Sequence, residues 1–457
     1  MIVNLITTVY NFLWGDLFTI PLPGGGSLGI SLLILLLIPT GIYFTIRTRF
    51  LPIRLFPDMI RALSEKKNEK SSLSSFQTLI VSTATRVGMG NLVGVVAAVS
   101  AGGAGAVFWM WVTAIIGSST AFIEATLAQL HKEEDPLYGG YRGGPAYYIT
   151  KGMGEKWRPM AVFFSIAIII ALGCIGNMVQ SNSISNAMHT AFGVPLVITG
   201  IVTAILAGAV FFGGVARLAS VTEKIVPFMA AIYIIGGSYV IACHAGELGN
   251  AFRLIFVAAF DPQAVMGGAL GLTVAKAMQF GVARGLFSNE AGMGSAPNVA
   301  ATADVTHPVK QGLIQTLGVF TDTLVICTCT AFIILFSGLA STGEANGIKL
   351  TQMALNNEIG DIGTIYVAVA ILFFAYSSIL GNYYYGEANV RYITRQRWAI
   401  PVYRISVCGM VMFGALASLD LAWGLADIAM GFMTICNLIA IVLLLSLIHI
   451  SEPTRLR

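Results

Sequence analysis

Charge is scarce in this chain. Asp, Glu, Lys and Arg supply 11% of its 457 residues, where a soluble domain carries roughly a quarter. That scarcity argues against a water-soluble fold, and nothing in the net charge of +4 points to a nucleic-acid partner. Histidine is equally thin. His131, His189, His244, His307 and His449 all avoid the middles of the apolar segments. No pair of Asp residues, and no Ser with His, stands at membrane depth, so an intramembrane enzyme lacks its catalytic groups. The six cysteines (Cys174, Cys243, Cys327, Cys329, Cys408, Cys436) show no metal-ligand spacing and read as small packing residues. No phosphate-cradling loop occurs, which removes ATP and primary pumping. A basic leader is missing from the first twenty residues, so no cleaved signal peptide is expected.

What the chain has instead is apolar length. Hydrophobic residues make up 56% of it and the mean hydropathy is +0.80. With ~20 residues per spanning helix, this length accommodates a polytopic bundle and little else. Residues 1–20 read as an interfacial amphipathic segment, with Tyr10, Phe12 and Trp14 at headgroup depth. Eleven spans follow, at about 28–46, 75–100, 104–128, 160–187, 195–213, 219–243, 264–291, 311–337, 362–385, 399–418 and 421–448. Residues 1–50 then hold the interfacial helix and first span, 51–450 the core, and 451–457 a short tail left out of the reading.

The basic residues sort by loop. Arg47, Arg49, Arg54, Arg61, Lys66, Lys67 and Lys70 follow the first span; Lys132, Arg142, Lys151, Lys156 and Arg158 follow the third. Arg217, Lys224, Lys310, Arg391, Arg395 and Arg397 continue on the same side, while the other side keeps only Arg253 and Lys349. Basic loops stay cytoplasmic, which puts the N-terminus outside and the C-terminus inside.

Two copies of one short motif break the apolar pattern: Gly88-Met89-Gly90-Asn91 and Gly292-Met293-Gly294-Ser295. Phe76-Gln77 precedes the first and Gln279-Phe280 the second. A helix interrupted in lipid frees backbone groups, which is tolerated only where they face a ligand, an ion or water. Paired interruptions in two halves mark a transporter binding site. Setting aside the first span leaves five plus five, an inverted repeat over about 75–243 and 264–448. In the second half the interruption is expected near mid-span, at Phe280 to Gly285, in preference to the motif itself.

The run Gly102-Gly103-Ala104-Gly105-Ala106-Val107-Phe108-Trp109-Met110-Trp111-Val112-Thr113-Ala114 resembles the signature of the alanine or glycine:cation symporter family. Ser82 to Asn91 and Arg284 to Ser295 resemble the same family. The resemblance implies an all-α inner-membrane protein with the LeuT-type inverted-repeat fold. It implies import of small neutral amino acids, alanine or glycine, with sodium (or protons) as co-transported ion and no cofactor. An ion channel and a proton-coupled carrier of another small zwitterion are the rival readings; saturable, gradient-dependent flux separates a carrier from a channel.

A zwitterion needs donors for its carboxylate and acceptors for its ammonium. Amides at Gly88, Met89 and Gly90 would meet the carboxylate at a helix N-terminus, and carbonyls near Thr85 and Arg86 the ammonium. Close helix packing is the other reading of the two glycines. Asn177, Gln279, Phe280, Gly281, Val282 and Ala283 complete the expected substrate site, with Met89 and Phe280 as apolar wall. By resemblance, Asn91 ligates one sodium, although a helix cap serves its residue type as well. Ser377 and Ser378, with the carbonyls of Ala84 and Val87, resemble a second sodium site; serines bonded back to their own helical turn are the alternative. Arg284 and Glu290 are expected to close the cytoplasmic side. Arg86, Lys276, Glu124 and Asp322 are further deep charges, with snorkelling an alternative for Lys276 and Glu124. Asn177 and Gln180 serve equally as interhelical glue, and Trp109 and Trp111 as interfacial or packing residues.

Overall fold

The computed structural model describes residues 2–21, 27–63, 73–136, 139–261, 274–339, 347–417 and 419–450. Lys66, Lys67, Lys70, the first ten residues of the expected seventh span and the tail lie outside them. Helix dominates. The segment expected at the interface forms α1 (Ile2–Trp14), and the expected first span forms α2 (Leu32–Arg47), opened by Ser31, whose hydroxyl accepts the Ile34 amide at 3.2 Å. The second is a bent pair, α3 (Ser75–Arg86) and α4 (Gly90–Gly102), meeting at 50°. A capping box starts α3: Ser74 and Gln77 exchange side-chain and backbone hydrogen bonds, each at 3.1 Å.

Then come α5 (Gly105–Leu130), α6 (Glu155–Phe192), α7 (Leu196–Phe211), α8 (Gly214–Cys243), α9 (Leu248–Phe260) and α10 (Val274–Asn289). The last five are α11 (Pro308–Ser337), α12 (Gly347–Ile359), α13 (Asp361–Ile393), α14 (Ala399–Leu416) and α15 (Leu419–Ile450). Seven helices among the described residues are long and apolar enough to cross a membrane, eight with the bent pair; α2, α7 and α9 are shorter apolar helices. Helices α9 and α12 were not anticipated. Neither were two hairpins, Phe18–Pro21 with Ser27–Ile30 and Glu133–Glu134 with Tyr141–Arg142. The Pro23-Gly24-Gly25-Gly26 sequence was the available signal for the first.

The molecule is apolar outside and polar within. Ile205, Ile235 and Ile405 are at least 65% exposed, whereas Asn91, Asn177, Asp322 and Gln180 are buried. That inversion suits a lipid solvent, in which polar groups must find partners inside the bundle. The loop residues expected on one side do meet: Glu133 pairs with Arg142 and Lys151, and Asp135 with Arg391.

The second interruption differs from expectation. Helix α10 runs unbroken through Phe280 to Gly285 and stops at Asn289. The chain then turns through Glu290, Gly292 and Gly294, with φ of 58°, 91° and 82°. These are left-handed conformations that glycine adopts without strain. Gly281 serves packing: a Cβ there would lie 2.5 Å from the Ala106 carbonyl oxygen on α5. The break is at the motif.

Candidate functional site

The α3–α4 break is held by side chains from three directions. Asn91 accepts the Gly88 amide on Oδ1 at 2.9 Å, capping the break, and its Nδ2 donates to the Asp322 carboxylate at 2.6 Å. The Met89 amide reaches Gln180 Oε1 at 3.4 Å. From α13, the Ser377 and Ser378 hydroxyls both donate to the Ala84 carbonyl, at 3.2 and 3.1 Å, and each also bonds back to Phe374 at 3.0 Å. The bond back to the preceding turn is thus present, and the pair also reaches the Ala84 carbonyl of α3. Val87 is buried at the end of α3, its amide donating to the Thr83 carbonyl at 2.7 Å.

A cavity opens at the break. Its walls come from Thr85, Arg86 and Gly90, from Ala171, Gly176 and Gln180 on α6, and from Phe287, Glu290 and Met293 at the second interruption; Asn382 and Met430 close it. Three π-helical stretches, Gly90–Gly94, Ile169–Gly176 and Phe320–Cys327, lie at or beside this region. Such widened turns free backbone groups and are frequent at functional sites. The cavity carries both signs of charge. Among the described residues Nε and Nη2 of Arg86 have no hydrogen-bond partner, while Nη1 donates to the Gln315 carbonyl at 3.2 Å. Glu290 accepts from Ser295 Oγ at 2.5 Å. Thr85 shares a 2.9 Å hydrogen bond with the Tyr385 hydroxyl.

Several expected residues lie elsewhere. Gly88 backs onto Ser378, where an added Cβ would meet Oγ at 2.0 Å. Met89 turns toward α6, its sulfur accepting from Ser183 at 2.6 Å. Asn177 donates to Gly173 within its own helix at 3.0 Å. Gln279 donates to the Trp14 carbonyl of α1. None of Gln279, Phe280, Gly281, Val282 and Ala283 lines this cavity, because α10 continues as helix past them and delivers Phe287 and Glu290 instead. Arg284 does not pair with Glu290. It pairs with Asp427 of α15 at 2.6 Å and stacks on Trp423, 4.8 Å from the ring centre. Six residues apart, with the helix ending between them, Arg284 and Glu290 have no shared face.

Trp14 donates its indole N–H to the Asp427 carbonyl at 3.2 Å, so α1 is tied to this buried ion pair. Of the other deep charges, Lys276 is exposed, and Glu124 is buried, accepting from Asn437 at 2.8 Å and the Gly292 amide at 3.3 Å. Trp109 and Trp111 hydrogen-bond to Ala259 and Thr328, as packing residues would. Missed from sequence were Tyr385, Asn382, Asp427 and the cavity role of Glu290. The left-handed turn of the second Gly-x-Gly was the usable signal for the last.

A model of the sodium:alanine symporter family matches residues 25–452. The chain belongs to that family. Among its relatives, the probable sodium/glutamine symporter GlnT of Bacillus subtilis is 48% identical over 91% of this chain and 85% of its own length. The amino-acid carrier protein AlsT of the same organism is 46% identical over 96% of this chain and 89% of its own. The sodium/alanine symporter AgcS of Methanococcus maripaludis is 38% identical over 98% and 96%. A crystal structure of a mutant manganese transporter from Eremococcus coleocola has a TM-score of 0.54 at 13% identity, covering 81% of this chain and 76% of that one. At such identity it speaks to the fold alone. As a member of the sodium:alanine symporter family, this is a multi-pass membrane protein that couples sodium to amino-acid transport.

Proposed function

We propose that this symporter imports alanine or glycine with sodium by alternating access. One observation carries the reading: the Arg86 guanidinium, whose Nε and Nη2 find no hydrogen-bond partner among the described residues, and the Glu290 carboxylate face one small cavity beside Gly90. Opposite charges so arranged suit the two ends of a zwitterion, the carboxylate at Arg86 and the Gly90 amide, the ammonium at Glu290. Ala171, Gly176 and Gly90 leave space, while Phe287 and Met430 make the wall that a methyl side chain would touch. The fold is a LeuT-type bundle of eleven spans, its second to eleventh forming the five-plus-five inverted repeat. Both interruptions, one within the first span of its half and one at the end of the corresponding helix, favour that symmetry. Arg284, Asp427 and Trp14 form the outer closure.

Uptake of labelled alanine into proteoliposomes tests the substrate. Glycine should compete strongly, and glutamine and alanine amide weakly. Glutamine outcompeting both would overturn the reading in favour of the activity named for the 48% identical relative. Flux that never saturates would indicate a channel instead.

The sodium oxygens are assigned to Ala84, Val87, Ser377 and Ser378, with Asn91 at the break. A hard cation takes hydroxyl and carbonyl oxygens. Ser378→Ala removes one side-chain ligand and leaves the backbone carbonyls. Its half-saturating sodium concentration should rise about tenfold, equivalent to roughly one hydrogen bond's worth of binding energy. An unchanged sodium dependence in a folded variant would reduce the pair to helix packing.

The N-terminus is outside and the C-terminus cytoplasmic in this reading. In a cysteine-free background, Arg395→Cys should react with an impermeant thiol reagent only from inside, and Glu247→Cys only from outside. Reversed labelling would overturn the orientation.

A further inference from the structure

The second interruption is held by groups from other helices. A turn inside a membrane leaves amides and carbonyls without helical partners, and neighbouring side chains must supply them. At Gly292 both backbone groups are engaged. Its amide donates to Glu124 Oε1 of α5 at 3.3 Å, and its carbonyl accepts from Asn437 Nδ2 of α15 at 2.9 Å. Asn437 Nδ2 also donates to Glu124 Oε2 at 2.8 Å, and from the Pro145–Met153 helix the Tyr148 hydroxyl donates to Asn437 Oδ1. Glu124, Asn437 and Tyr148 are wholly buried. A carboxyl group at this depth is costly and marks function by default.

The turn is packed tightly between α5 and α15. A Cβ on Gly292 would lie 3.2 Å from Thr120 Cγ2, one turn before Glu124, and 3.5 Å from Leu438 Cδ2. One on Gly294 would lie 3.0 Å from Asn437 Cγ. What the turn carries into the cavity is Glu290 and Met293. Glu290 accepts from Ser295 Oγ at 2.5 Å, and the Met293 amide donates to the Glu290 carbonyl at 3.2 Å, which closes 290–295 into one small loop. Met430, also in the cavity wall, lies two turns before Asn437 on α15. The first break differs, because Asn91, which caps it, belongs to its own segment.

We propose that Glu124 and Asn437 are positioning residues for the amino-acid substrate. By gripping Gly292 at its amide and its carbonyl, they set where Glu290 and Met293 stand in the cavity. Neither lines the cavity, so each acts through the turn. Asn437 also ties the turn to α15, so a shift of that helix moves the ammonium contact and the Met430 wall together. The proposal rests on the reading of Glu290 as the ammonium contact.

Amide hydrogen exchange and equilibrium binding of labelled alanine, both on the purified full-length protein at saturating sodium, test it. Glu124→Gln keeps the volume but offers one oxygen to two N–H donors, so one of the two bonds is lost. Exchange should quicken in peptides covering 290–295 and stay as in the parent over 82–91, while alanine binding weakens about tenfold. In a Glu290→Gln background the same change should weaken alanine by less than twofold, because its effect passes through Glu290. A merely structural Glu124 would cost binding equally in both backgrounds, which would overturn the proposal. Should Glu124→Gln not fold, Tyr148→Phe frees Asn437 Oδ1 and reads the same loop with a smaller effect. Parent-like exchange over 290–295, or quickened exchange with parent-like alanine binding, would also overturn it. Parent-like binding by Glu290→Gln alone would overturn the ammonium contact, with the exchange still deciding whether the loop is clamped.

Discussion

Gly88→Ala should reduce sodium-driven uptake to background while the protein still purifies as a folded monodisperse species. The added Cβ would lie 2.0 Å from Ser378 Oγ and 3.3 Å from the Thr85 carbonyl oxygen. Ser378 is held in place by the carbonyls of Ala84, Thr85 and Phe374. Moving it aside therefore dismantles the hydroxyl–carbonyl group assigned to sodium. Overpacking of this kind costs about 1–3 kcal/mol. Concentrated on one ion site, that is a loss of about ten- to hundredfold in ion affinity, compounded in uptake. Two neighbours calibrate the effect. Gly90→Ala meets the Phe287 ring at 3.0 Å and should weaken alanine binding strongly, whereas nothing lies within 4 Å of the Cβ position at Gly94. Gly94→Ala should transport nearly as well as the parent. Uptake by Gly88→Ala matching that of Gly94→Ala would show that the break is not the coupling site.

Glu290→Gln should weaken alanine binding by about 10- to 100-fold with little change in thermal stability. The substitution keeps volume and a hydrogen-bond acceptor for Ser295 but removes the negative charge that faces the cavity. A charge-assisted hydrogen bond contributes about 1.5–3 kcal/mol, which fixes the range. Equilibrium binding of labelled alanine at saturating sodium reads it directly. Binding within a factor of two of the parent would move the ammonium contact away from Glu290.

Legibility from sequence varied with the kind of contact. The α3–α4 interruption was readable because a Gly-x-Gly pair inside an apolar run has few other uses in lipid. Ser377 and Ser378 were tied to Ala84 by resemblance, and the three do meet. The second interruption was misplaced. Gly281 and Gly285 looked like breaks, yet they let α10 lie close against α5, where Ala106 and Thr113 occupy the space a side chain would need. A glycine that admits a neighbouring helix and a glycine that ends its own helix look alike in one dimension. The repeated Gly-Met-Gly, read literally, was the better guide.

The sequence by itself determined the apolar segments, the sorting of basic loops, the first break and the family resemblance, because each depends on composition or short-range pattern. Tertiary structure alone decided which charges meet. Arg284 finds Asp427, more than a hundred residues away, and Asn91 finds Asp322 across the bundle. It also decided that Arg86 and Glu290 share one cavity. The physical reason is that buried polar groups in a membrane bundle must be satisfied by other helices. Their partners are therefore set by how helices pack, a long-range property that local sequence does not carry.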